Sequence, residues 1–195
     1  MNKHSRRHRM NSKSSLLLII VSILFCSLTF TFIPFYSAFA NERCLDAAKS
    51  LESHLQSEEV NHSIQVAKDV LKENGLSDKW IWLMLAESGS TSTRAISSKG
   101  AIGAWQLMKA TSKHYGCSNP HDIECSSNAA SKYIKHLLKM FNNDIKKTIY
   151  GYNMGGRNYK RIGRPTKQAE GLAFTVLCGM KYGNLKLNSN GVGHD

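Results

Sequence analysis

The sequence predicts one all-α domain carried behind an export leader. Three observations carry that expectation. Apolar residues recur at helical spacing in successive segments between residues 42 and 180. No segment shows the convincing apolar/polar alternation of a half-exposed strand. The first forty residues differ in composition from the rest. A chain of 195 residues is long enough for one core-forming domain, and a hydrophobic content of 42% excludes a disordered or fibrous chain.

The leader comes first. Lys3, Arg6, Arg7, Arg9 and Lys13 form a basic start without any acid, followed by the uncharged stretch Leu16–Phe35 and the small-x-small site Ala38-Phe39-Ala40. This is the layout of a secretory signal peptide over residues 1–40, cleaved after Ala40. An uncleaved anchor facing the periplasm is the alternative, because about 20 apolar residues can cross a bilayer. Pro34 and the cleavage site favour removal, and residues 41–195 are expected outside the cytoplasm either way. The formal charge of +12 is partly the leader's. Without its five basic residues the rest of the chain carries +7, which weakens any case for nucleic acid.

The helices follow in order. Leu45, Ala48, Leu51 and Leu55 predict a helix over 42–57, and 63–74 predicts a second, stopped by Gly75. Together 41–75 read as an N-terminal helical extension. Ser77 can cap a third helix from Asp78 to about Ser88, apolar on every face from Trp80 to Ala86 and so expected to be buried all round. The Ser, Thr and Gly content of 89–104 predicts a loop with irregular or β-like character, with a helix resuming near Leu107. Ala130, Tyr133, Ile134, Leu137, Leu138 and Phe141 mark the clearest helix, 129–141. Ile145, Thr148, Ile149 and Tyr152 form the inner face of the next, which starts near Asn143 or Asp144. Ala169, Leu172, Ala173, Val176, Leu177 and Met180 mark the last. The main domain is thus expected over 76–183, with a polar, mobile tail over 184–195.

Four cysteines remain after the leader, allowing three pairings. Cys117–Cys125 across a short Pro-containing loop and Cys44–Cys178 tying the two ends are favoured. The rival is a zinc site from His114, Cys117, His121 and Cys125, which have ligand types at short spacings. An oxidising compartment favours disulfides, so no metal is expected.

Glu87 ends the all-apolar helix and is the only acid between Lys79 and His121. Burial removes hydration from a carboxylate, and a helix C-terminus adds partial negative charge. Both favour the protonated acid, which suits general-acid chemistry near neutral pH. The rival reading places Glu87 in solvent at the helix end.

The surrounding residues sharpen the choice. Ser88 and Gly89 follow Glu87. Then come Ser97-Ser98-Lys99-Gly100-Ala101-Ile102-Gly103-Ala104-Trp105-Gln106-Leu107-Met108 and Tyr150-Gly151-Tyr152-Asn153-Met154-Gly155. From about Lys79 to Tyr182 the sequence resembles the soluble lytic transglycosylase domain of the goose-type lysozyme-like superfamily. That family reads E-S, then S-x-x-G-A-x-G-L-M-Q-x-M, then a helix bearing A-x-x-Y-L, and finally A-Y-N-x-G, in this order. The resemblance implies a lysozyme-like fold and cleavage of the β-1,4 bond between N-acetylmuramic acid and N-acetylglucosamine in peptidoglycan. Glu87 would protonate the glycosidic oxygen, then take the proton of the muramic C6 hydroxyl as it closes onto C1, leaving a 1,6-anhydro end. Neither a cofactor nor an enzyme nucleophile is implied. Gln106 and Met108 correspond to residues lining the saccharide cleft, and Tyr152 and Asn153 to the Y-N pair, with the tyrosine hydroxyl placed on the acid or the sugar. Ser88 and Ser97 are candidate hydrogen-bonders to substrate.

Departures accompany the match. Trp105 stands where the family often has Met, Lys109 replaces a common Pro, and Gly151 replaces the Ala before Tyr-Asn. Gln168–Ala173 stands where the family often shows E-T-x-x-Y-V, losing both acid and tyrosine unless Glu170 substitutes. The basic residues Lys146, Lys147, Arg157, Lys160, Arg161, Arg164 and Lys167 are either a solvated surface or a face for an anionic glycan. Expected partners are peptidoglycan strands and a secretion or conjugation apparatus, with no nucleic acid, and the protein is read as a monomer. A hydrolytic muramidase and a non-catalytic wall-binding protein are the alternatives.

Overall fold

A computed structural model describes residues 40–53, 58–88 and 92–185. The chain divides into two units, Met1–Arg43 and Cys44–Asp195. Of the first, residues 40–43 are described and are helical. The expected apolar stretch Leu16–Phe35, its cleavage site and most of the polar tail lie outside the described residues. No helix among the described residues is long and apolar enough to cross a membrane.

The second unit is mostly helical. Helix α1 covers residues 44–52 of it. Helix α2, Glu58–Glu73, starts earlier than its apolar period suggests, with Glu58 and Glu59 in a first turn where negative charge is favourable. It buries Ile64, Ala67, Val70 and Leu71 and packs on helix α5, Ile123–Met140. Gly75 ends it as expected: its N–H donates to the Lys72 carbonyl (2.8 Å) and the Leu76 N–H to the Leu71 carbonyl (2.9 Å).

The Ser77 hydroxyl accepts the Lys79 N–H at 3.3 Å and opens a 3-10 turn that runs into helix α3, Ile81–Ser88. Every residue from Trp80 to Leu85 is buried, as a helix apolar on all faces requires. Around it pack α2 and helix α8, Lys167–Tyr182.

The expected β-like region is a hairpin. Strands β1 (Ala101–Ile102) and β2 (Leu107–Met108) pair antiparallel, with Ala101 opposite Met108. The helix expected from Leu107 therefore begins two residues later, as α4, Lys109–His114. Leu107 and Met108 complete the ladder first, so local pairing overrides the helical reading there. Gly103 opens the turn at φ +73°, and a Cβ there would lie 2.1 Å from the Pro120 carbonyl oxygen.

Helix α5 starts six residues before the expected boundary. Cys125, Ser126, Ser127 and Asn128 show no apolar period. They are nevertheless helical, because Asp122 caps the Cys125 N–H at 2.7 Å and Ser126 and Ser127 are buried. Helix α6, Ile145–Met154, is capped by Asp144. Thr148, Ile149 and Tyr152 point inward, but Ile145 is 44% exposed, because the first turn projects past the core. Gly151 sits where a Cβ would come within 2.6 Å of Phe141 Cε2, so that ring occupies the space of the family's alanine methyl. Helix α7, Gly156–Ile162, is absent from the sequence reading. Apart from its first glycine it buries only Tyr159, too little for a visible period.

Both favoured disulfides are present: Cys44–Cys178 joins α1 to α8, and Cys117–Cys125 closes the loop into α5. The second consumes the two thiols that the zinc alternative needs, and His121 Nδ1 instead lies 2.7 Å from the Thr93 carbonyl oxygen.

Candidate active site

Glu87 sits in the last turn of α3, where the buried helix reaches a cleft of about 620 Å³. The all-apolar segment before it anchors the backbone in the core, so the carboxyl is held at the boundary. Burial pushes its pKa from the usual 4.5 up to about 7, against a side-chain hydrogen bond from Asn153 that favours the carboxylate. The group is thus balanced between acid and base near neutral pH, which a proton-transfer step in both directions needs.

The hairpin forms one wall. Gln106 adopts φ +46°, a left-handed conformation costing about 1 kcal/mol for a residue with a Cβ. Its backbone N–H and its Nε2 both donate to the Gly103 carbonyl (3.0 and 2.8 Å), which clamps the turn and leaves Oε1 without a donor among the described residues. Met108 follows with its side chain 47% exposed along the cleft. Ser97 also lines it. Its hydroxyl accepts the Ala101 N–H at 3.0 Å.

Helix α6 forms the opposite wall with Tyr152 and Asn153. The resemblance leads us to expect the Tyr152 hydroxyl on the acid or the sugar. Tyr152 lines the cleft, and the Glu87 charge adds to the burial that raises its pKa. The hydrogen bond its hydroxyl makes, however, is to the backbone. It donates to the Trp105 carbonyl at 2.9 Å and is buried. Trp105 in turn donates from Nε1 to the Ser127 hydroxyl at 2.8 Å. Tyr152, Trp105 and Ser127 therefore lock α6, the hairpin turn and α5 together behind Gln106. The Trp in place of the family's Met is an anchor in the core.

Ser88 is not among the residues lining the cleft. Its hydroxyl donates back to the Met84 carbonyl at 3.0 Å. Asn158 and Thr166 line the cleft although no motif contains them, and beside them stand Tyr133, from the A-x-x-Y helix, and Gln168, from the altered C-terminal motif. The apolar period makes Tyr133 one more core residue of its helix, and the family's A-x-x-Y-L pattern is the signal that marks it as different. Its hydroxyl donates to the Gly151 carbonyl at 3.1 Å, and burial holds its pKa up at about 12, so it remains a neutral donor.

No second acid lines the cleft among the described residues. Asp122 caps α5, Glu124 is exposed, and Glu170 borders a separate cavity beside Cys44 and Cys178. Gln168 is thus the part of the altered C-terminal motif that reaches the site, and it brings no charge.

A family profile described as the transglycosylase SLT domain matches residues 65–174, from within α2 into α8. The chain belongs to this family. Two relatives, both named membrane-bound lytic murein transglycosylase D, come from Escherichia coli strain K12 and from Escherichia coli O6:H1. Each is 31% identical over 108 residues, covering 52% of this chain and 23% of the relative. The match thus spans about a quarter of those proteins. The matched SLT region contains Glu87, the hairpin and the α6 wall.

Proposed function

We propose that the protein is an exported peptidoglycan lytic transglycosylase. The observation that carries the reading is a single half-buried carboxyl with a pKa of about 7, in a cleft where no other acid stands among the described residues. Glu87 as acid gives its proton to the oxygen of the β-1,4 bond between muramic acid and N-acetylglucosamine. As carboxylate it then accepts the proton of the muramic C6 hydroxyl, whose oxygen bonds to C1. One group serves both steps because its two forms are close in energy at neutral pH. A retaining or inverting hydrolase would use a second carboxylate for a nucleophile or a water.

Gln106 Oε1, Asn153 and Ser97 offer hydrogen bonds to hydroxyl and acetamido groups, and Met108 an apolar surface for a sugar face. With the leader that the sequence predicts, the reaction belongs in the periplasm, either in wall turnover or in opening the wall for a secretion or conjugation apparatus. Mass spectrometry of fragments released from purified sacculi tests the reaction. Products ending in 1,6-anhydromuramic acid are expected, whereas reducing ends would make the protein a muramidase. Glu87→Gln should keep the fold and abolish release, and no release by the oxidised wild type would leave a wall-binding protein.

A further inference from the structure

A strip of positive charge covers the first turn of α6, α7 and the start of α8. Between Asp144 and Glu170 the chain holds seven Lys and Arg residues and no acid, and all seven are exposed. They are neighbours in space, because α6 packs on both α7 and α8. The Tyr159 ring of α7 lies 5.4 Å from that of Tyr150 in α6, and Lys146 Nζ stands 5.9 Å from the Tyr150 ring centre. Burial raises the Tyr159 pKa and the Lys147 and Lys146 charges oppose that rise, as cations close to α7 do.

The fold makes little use of these charges. Lys147 pairs with Asp144 at 3.2 Å, and Arg161 donates to Asn158 Oδ1 at 3.0 Å. Lys160, Arg164 and Lys167 make neither a hydrogen bond nor an ion pair with the described residues. Lys146, Lys147 and Lys167 stand in first helical turns, where the partial positive charge of the helix disfavours a cation. Lys160, Arg161, Arg164 and Lys167 line neither the cleft nor the cavity at Cys44 and Cys178, so they address a surface and not a small ligand.

Two isoleucines specify the kind of surface. Ile145 opens α6 beside Lys146 at 44% exposure, and Ile162 closes α7 beside Arg161 at 42%. A glycan carboxylate gains nothing from a branched alkyl group. A lipid headgroup layer takes both, with cations at its phosphates and apolar side chains just beneath them. We propose that this strip docks on an anionic lipid bilayer. Ile162 also lines the cleft, so docking brings the cleft mouth alongside the membrane. The consequence for the reaction rests on the transglycosylase reading above: the enzyme acts on the strands nearest the bilayer.

The test is energy transfer from tryptophan to a dansyl-labelled lipid headgroup, with the full-length protein. Trp80, Trp82 and Trp105 lie in the helical domain and the first forty residues hold none, so the signal reports the domain and not the leader. Vesicles of phosphatidylglycerol and phosphatidylcholine at about 3:7 should give more transfer than phosphatidylcholine alone, and about 1 M NaCl should remove the increment. Each cation at such a surface strengthens attachment about fivefold, so Lys160→Gln/Arg164→Gln/Lys167→Gln should weaken it on the order of a hundredfold and lose most of the increment. Lys49→Gln/Lys72→Gln/Lys79→Gln removes equal charge from other exposed positions and should keep it. Equal transfer in the two variants, or no increment in the wild type, would overturn the inference. Weaker sacculus binding by the strip variant with its vesicle signal unchanged would make the strip a glycan face and overturn it too. Products from sacculi without lipid are read separately: reducing ends, or no release, with docking intact would remove the proposed reaction and leave the membrane face standing.

Discussion

At the scale of single residues, the proposed reaction turns on Glu87, and its raised pKa has two measurable consequences. The protonated form starts the reaction, so kcat/KM should fall as pH rises through about 7. Asn153→Ala removes the hydrogen bond that favours the carboxylate, so that alkaline limb should move to higher pH; an unmoved limb would mean Asn153 does not act on Glu87. The second consequence is stability. Between the unfolded value of 4.5 and the folded value of about 7 the native state binds more protons than the unfolded chain, so stability is lost as pH rises across this window. The loss is complete above pH 7, on the order of 3 kcal/mol. Glu87→Gln lacks the charge, so its advantage in chemical denaturation should be small below pH 4.5, grow up to pH 7 and then level off. A pH-independent difference would show that the carboxyl is solvated.

At the scale of elements, the hairpin is a strained arm held from behind. Gln106 carries the left-handed turn, and the Tyr152–Trp105–Ser127 chain of hydrogen bonds fixes it. Tyr152→Phe leaves the buried Trp105 carbonyl without its donor, so about 1–2 kcal/mol of stability should go. kcat/KM should drop with it, because Gln106 and Met108 lose their placement; thermal melts and sacculus turnover measure the two effects. Gln106→Gly separates them. Glycine relieves the positive φ but loses unfolded-state entropy of similar size, so Tm should stay within about 2 °C while turnover falls severalfold. Unchanged turnover would mean that Gln106 serves the turn alone. Helix α7 has the opposite character, with little burial and several exposed cations, of which Arg157 reaches a second cavity.

At the scale of the whole molecule, the two disulfides act on very different lengths of chain. Cys44–Cys178 spans 134 residues and Cys117–Cys125 spans 8. Loop-closure entropy assigns them about 5 and about 2.5 kcal/mol. Denaturant titrations of Cys44→Ser/Cys178→Ser and Cys117→Ser/Cys125→Ser should therefore show the larger loss for the first pair. Equal losses would indicate that native contacts around the bridges, rather than chain entropy, set the difference. The longer bridge fastens α8, which carries Gln168 at the cleft, to α1.

Much of this was legible along the chain because helices bury one face and terminate locally. The apolar periods, the Ser77 and Asp144 caps and Gly75 marked elements from neighbouring residues alone. The order of Glu87, Ser97–Met108 and Tyr152–Asn153 marked the cleft. The sequence by itself determined a helical fold, its acid and its favoured disulfide pairing. Tertiary structure decided what depends on distance in space. It extended α5 through a serine-rich turn by burial, formed α7 around little more than Tyr159, turned the Tyr152 hydroxyl to Trp105, and kept Ser88 out of the cleft. It also brought His114, His136 and Arg157 from three helices to the lining of one cavity. No period or spacing encodes such a meeting, because side chains far apart in sequence share a site only after the core has set the angles between their helices.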